Sequence, residues 1–210
     1  MSISCPVFPP ASNPNGATAL ATLLRAVRAC TACAEHLPLG PRPVVRGHAT
    51  ARLLIISQAP GTKVHETGIS FNDRSGDRLR DWLGLDRAKF YDQGRVAIMG
   101  MGFCYPGRFD QGGDRPPRPE CADLWHARLR AHWPRIGLTL LVGSYAIDRY
   151  LGTARRPSMT ATVAAWRDYL PDYLPMPHPS WRTIGWEKRN PWFGAELLPE
   201  INARVAALTK

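Results

Sequence analysis

Four consecutive apolar residues, Leu53-Leu54-Ile55-Ile56, break off abruptly at Gln58-Ala59-Pro60-Gly61, and no other stretch constrains the fold as strongly. A short, partly β-branched run that ends on Pro and Gly reads as a strand buried on both faces. Strands of that kind belong to parallel sheets covered by helices. In an open sheet of this type, ligands collect outside the carboxyl ends of the strands, where Pro and Gly let the backbone approach a bound group.

The rest of the chain repeats the alternation. Further strands are expected at Arg95 to Met99, Leu138 to Val142 and Tyr173 to Met176. Between them lie helical patterns. Leu20, Leu23, Leu24 and Val27 recur at helical spacing from Ala17 to about Ala34, with Cys30 and Cys33 closing that helix on one face. Asp73 or Ser75 caps a helix whose buried stripe is Leu79, Trp82 and Leu83. Later helices are expected from Pro119 to His132, from Gly143-Ser144 through Leu151, over Thr160 to Tyr169, and from Trp192 to Leu208.

Strands alternating with helices imply an α/β protein. The expected architecture is a three-layer α/β/α sandwich around a central four-stranded parallel sheet. One domain is expected over residues 16–210. Residues 1–15, proline-containing and without apolar periodicity, read as a loosely ordered arm.

The 27 Lys and Arg against 17 Asp and Glu give a formal charge of +10, mostly from Arg spread along the chain, which suits a polyanionic partner. No apolar run approaches the ~18 residues needed to cross a bilayer, and no export signal opens the sequence. A cytoplasmic monomer with no membrane partner is expected. Of the five cysteines, Cys30 and Cys33 form a C-x-x-C pair that in a reducing compartment points to metal or redox chemistry. Cys5, in the arm, has no assigned role.

Three strand ends run into polar, Gly- or Pro-containing loops: Gln58-Ala59-Pro60-Gly61, Gly100 to Cys104, and His178-Pro179-Ser180. In a parallel sheet these loops share one edge. The arrangement resembles the uracil-DNA glycosylase superfamily, whose members place a Gly-Gln/Glu-x-Pro-Gly/Tyr motif after the first strand and a His-Pro-Ser/Ala motif after the last. The closest resemblance is to its iron–sulfur (family 4-like) branch. Ser57-Gln58-Ala59-Pro60-Gly61, Thr67-Gly68-Ile69-Ser70-Phe71 and Ser75-Gly76 follow that branch in order and spacing.

Cys30, Cys33, Cys104 and Cys121 are similar to the [4Fe–4S] ligands of that branch. As a donor set, four thiolates suit an iron–sulfur cluster or a zinc ion, so iron rests on the resemblance. The cluster would pin the first helix to the 104–121 loop in a structural and DNA-positioning role.

The resemblance implies further roles. An extruded base would stack on Phe71. His178 would direct an N–H at the base as negative charge develops on it. Gln58 would orient a water or bind the base, with backbone groups around Ala59, Pro60 and Gly61 gripping it. Phosphates would be met by Ser75, Gly76, Ser144 and Ser180, backed by Arg182.

Two positions depart from the family. The most active branch carries Asp where this chain, like the iron–sulfur branch, has Ala59, and Gln58 stands where the iron–sulfur branch usually has Glu, leaving the water to Gln58, His65, Glu66 or Asp73. Gly100 replaces an Asn that reads the pyrimidine edge, leaving Asn72 to take over. The loop from Trp181 to Asn190 mixes aromatics and cations as a strand-inserting wedge would. His36, His48, His126 and His132 carry no such motif.

The function implied is a monofunctional DNA glycosylase that removes uracil, or other deaminated bases, by hydrolysis of the N-glycosidic bond and initiates base-excision repair. The alternatives are a non-catalytic protein of the same fold that binds damaged or abasic DNA, and a zinc-stabilised α/β enzyme acting on a free nucleotide.

Overall fold

The computed structural model describes residues 15–210. The expected arm and Cys5 lie outside the described residues, apart from Asn15. The sheet has five strands, β1 (Val45–Arg46), β2 (Leu53–Ser57), β3 (Val96–Gly100), β4 (Leu138–Val142) and β5 (Tyr173–Met176), in the order β1-β3-β2-β4-β5. The four expected strands are all present and mutually parallel, with Ile55 opposite Ile98 on one side and Leu140 on the other. The fifth is β1, two residues paired antiparallel to β3. A strand this short has no alternation to reveal it in the sequence.

Around the sheet lie α1 (Asn15–Arg28), α2 (Thr62–Thr67), α3 (Arg74–Leu83), α4 (Arg87–Tyr91), α5 (Ala127–Ala131), α6 (Ser144–Leu151), α7 (Met159–Ala164), α8 (Thr183–Arg189) and α9 (Leu198–Leu208). From β2 the chain steps outward to β3, then crosses back past β2 to β4 and on to β5. Right-handed crossovers place the first set of helices on one face and the second on the other. The reversal beside β2 is the switch point at which such sheets bind ligands. The core is the sheet itself, with Leu53, Ile55, Ile56, Leu140, Leu141 and Val142 wholly shielded from solvent.

Several helices differ from expectation. α1 stops at Arg28, and Cys30 and Cys33 sit in the turns beyond it, where the amide of Cys30 donates to Val27 and that of His36 to Cys33. The α1 interior is apolar on one face, but the Ala29-Cys30-Thr31 stretch leaves the helix with no capping glycine. The 58–74 loop contains α2, framed by Gly61 and by Gly68, which takes the left-handed conformation at φ 70°. Thr183–Arg189, inside the expected wedge loop, is helical instead. Its Trp186 packs edge-on against Trp192 and Phe193 and donates its indole N–H to Thr160. These tryptophans anchor α9, leaving Trp181 as the exposed aromatic of the segment.

Candidate active site

The turn after β2 and the segment after β5 meet at the carboxyl edge of the sheet. There they border a small cleft that opens to solvent. Ala59, Pro60, Gly61, Phe71, Ser75, Gly100 and His178 all line it, together with Val44, Ser57, Val64, Ser70, Asp73 and Ile98. Residues more than 100 positions apart in sequence are thus brought into one space by parallel topology.

His178 is fixed through its backbone. Its carbonyl accepts from the Ser180 amide at 2.8 Å and from the Thr183 hydroxyl at 2.5 Å. Gly143, at φ 89°, lies against it, since a Cβ there would be 3.4 Å from the His178 Cβ. Arg78 of α3 ties the same segment down by donating to the Ser180 carbonyl at 2.8 Å and pairing with Glu187 of α8. The residue as a whole is half-buried and lines the cleft. Burial pushes the imidazole below its ordinary 6.5, opposed by the carboxylates of Asp73 and Asp114. A neutral imidazole at neutral pH keeps one N–H to donate.

Asp73 enters the cleft at the start of α3. One of its oxygens accepts the Gly76 amide at 2.8 Å, the N-cap that the sequence anticipates. A carboxylate has acceptor capacity beyond one such bond.

Phe71 occupies a left-handed backbone conformation, φ 55°, the only non-glycine with positive φ among the described residues. Such a conformation persists only when its surroundings over-determine it. Here the Tyr91 hydroxyl meets the Ser70 and Phe71 carbonyls at 2.9 and 3.1 Å, and Arg80 donates to the Phe71 carbonyl at 3.3 Å. Arg80 is itself buried, paired with Asp77 and lying over the Phe90 and Tyr91 rings. The Phe71 ring is largely packed into the core, edge-on to Phe90 at 6.1 Å, and only its margin reaches the cleft.

Gly100 ends β3 at the cleft floor. A Cβ there would overlap the Gly102 carbonyl, so no side chain, and in particular no base-reading Asn, fits at this position. The Gly100 carbonyl accepts from Nε2 of buried His126 at 3.0 Å, and the His126 Nδ1 pairs with the Tyr150 hydroxyl at 2.8 Å. Burial drives His126 down to about 4 and pushes Tyr150 well above its ordinary range, so both are neutral. Sequence motifs missed His126. It could have been found from the Ala122-His126-Leu129 spacing, which puts a polar ring on an otherwise apolar helical face.

Other expected residues lie elsewhere. Gln58 is half-buried and is not among the cleft-lining residues; its carbonyl accepts the Gly102 amide at 3.0 Å. Asn72 gives its amide oxygen to Arg87 at 3.0 Å, outside the cleft. His65 lies beside Tyr105 rather than in the cleft, and Glu66 is exposed. Ser144 is exposed at the start of α6, Ser180 is half-buried beside His178, and Arg182 is exposed over the Trp181 ring.

Cys33, Cys104 and Cys121 are buried, Cys30 is half-buried, and all four are free thiols. Burial chiefly, with a smaller contribution from the thiols of Cys30 and Cys33, pushes Cys104 up to about 11 and Cys121 up to about 12. The Phe103 amide donates to the Cys121 sulfur at 3.3 Å. Among the described residues no group of three or more His, Cys, Asp or Glu side chains is arranged to hold a metal ion. The thiols are therefore electrostatic neighbours without forming the compact cage of a single-ion site.

The family model for the uracil DNA glycosylase superfamily matches residues 44–202, from the strand edge before β2 into α9. That span contains every residue lining the cleft, and it excludes only Cys30 and Cys33 of the four-cysteine set. The chain belongs to the uracil DNA glycosylase superfamily, and with it to the DNA glycosylases, hydrolases that act on the N-glycosidic bond in DNA.

Proposed function

We propose that the protein excises uracil, and related deaminated bases, from DNA without cutting the strand. The observation that carries this reading is the single cleft that joins Ala59, Pro60 and Gly61 to His178 and the margin of Phe71. A base entering it must be unstacked from the helix first. Breaking the glycosidic bond leaves negative charge on the departing base and positive charge on the sugar. The neutral His178 N–H stabilises the former as a preorganised donor, an effect typically worth 10²–10³ in rate.

The water is assigned to Asp73. Ala59 offers no carboxylate and Gln58 cannot take a proton, whereas Asp73 lines the same cleft as His178 with acceptor capacity left after capping α3. No lysine lines the cleft, which supports hydrolysis rather than a covalent amine intermediate and strand cleavage.

Cys30, Cys33, Cys104 and Cys121 are assigned as the holders of a [4Fe–4S] cluster. Four buried or half-buried free thiols with an amide directed at one sulfur suit such a group. Four thiolates suit a zinc ion as well, so the choice of iron rests on the resemblance to the iron–sulfur branch. When bound, the cluster supplies a covalent tie between the turn after α1 and the loop after β3.

The test is incubation with single- and double-stranded uracil oligonucleotides followed by alkali. Cleavage at the uracil position, absent without alkali, supports the reading. Stable binding without product would favour a damaged-DNA-binding protein, and activity on free nucleotides alone would favour the nucleotide enzyme.

A further inference from the structure

Between Cys104 and Cys121 the chain forms a small hairpin that nothing in the glycosylase reading requires. Residues 107–115 are closed by an antiparallel bridge between Arg108 and Asp114 and by amide bonds from Arg115 to Gly107 and from Phe109 to Gly113. Gly112 and Gly113, at φ 90° and 92°, permit the turn. The hairpin displays Phe109 with 51 % of its surface exposed, and the Arg115 guanidinium lies 5.8 Å from the ring centre. A fixed hairpin that holds a large apolar ring in water, with a cation beside it, is not serving the core.

Its position gives the ring a use. A Cβ on Gly113 would be 3.9 Å from the Arg182 guanidinium, and Arg182 in turn lies 5.5 Å from the centre of the Trp181 ring, which is 75 % exposed. Asp114 is near enough to His178 to act on its protonation. The hairpin and the segment after β5 therefore stand together on the His178 side of the cleft mouth. Each presents one exposed aromatic residue with an arginine against it. Aromatic rings beside cations form the standard platform for unpaired nucleobases, sequence-tolerant because every base has a π-face.

We infer that Phe109 is a second base-stacking platform, receiving an unpaired nucleobase that flanks the nucleotide in the cleft, with Arg115 and Arg182 on the adjoining phosphates. This rests on the reading of the cleft as a base-excision site. It makes the protein a grip on locally single-stranded DNA, and the hairpin a contact point separate from the residues around the glycosidic bond.

The experiment is equilibrium binding of a lesion-free single-stranded oligonucleotide, followed by anisotropy at several salt concentrations, for the wild type, Phe109→Ala and Phe109→Trp. Phe109→Ala is expected to weaken binding about tenfold, Phe109→Trp to restore it, and the slope against salt to stay unchanged because no phosphate contact is lost. Wild-type affinity in Phe109→Ala, failure of Phe109→Trp to restore binding, or a shallower salt slope would overturn the inference. Because the oligonucleotide carries no damaged base, the outcome is independent of excision: a wild type that binds but never releases uracil would sink the proposed activity and leave this contact standing.

Discussion

The carbonyl oxygen of Phe71 occupies the space into which a side chain at residue 76 would project, so Gly76 and the left-handed Phe71 form one interlocked unit. The unit joins the cleft to the first turn of α3, where Gly76 also donates to Asp73. Replacing Gly76 by Ala must displace backbone rather than a flexible side chain. It is expected to lower stability by about 1–3 kcal/mol, as overpacking of close-fitted sites does. Urea denaturation measures this, and an unchanged midpoint would show that the turn can relax.

Asp73 has two tasks that one substitution separates. Asn caps helices about as well as Asp, so Asp73→Asn should keep stability within about 0.5 kcal/mol. As an amide it accepts no proton and orients water poorly, so single-turnover excision should slow by about 10². A variant that excises at the wild-type rate would remove Asp73 from the water step.

His126 makes stability depend on pH. Burial chiefly, against the hydrogen bond to Gly100, holds it at about 4 in the folded chain, while the unfolded chain takes up a proton near 6.5. Between those values the unfolded state binds more protons. The contribution is therefore complete above about 6.5 and is lost as pH falls towards about 4, on the order of 3 kcal/mol in total. Urea midpoints across that range should fall with acid in the wild type and fall less steeply in His126→Phe; equal slopes would contradict the assignment.

The four thiols predict a coloured protein. Anaerobically purified material should be brown, absorb at about 400 nm and contain iron and sulfide in equal amounts. Cys104→Ser should bleach it and lower the melting temperature, because a group that binds only the folded chain stabilises it. A colourless protein carrying zinc would contradict the cluster.

The sheet was legible because its strands are apolar runs that end on Pro or Gly: the expected limits of the runs at Leu138–Val142 and Tyr173–Met176 match the observed strands. Two-residue β1 carries no pattern and was invisible. α8 was hidden because Trp181, Trp186 and Trp192 look alike in sequence, and only packing distinguishes the exposed first from the other two. In the cleft, Pro60, Gly61 and His178 followed from strand ends and motif order. Gln58 and Asn72 did not, because the direction of a loop side chain is set by its partners rather than by its neighbours in sequence. The clamp of Arg80 and Tyr91 on Phe71 had no sequence signature, since a buried arginine on an amphipathic helix reads as a surface charge.

The most direct measurement is the single-turnover release of free uracil from an oligonucleotide by the wild type and by His178→Ala, with DNA affinity measured in parallel. A preorganised N–H donor to the departing base predicts a rate lower by about 10²–10³ at nearly unchanged affinity. Equal rates for the two proteins would show that the imidazole in this cleft has no part in the chemistry.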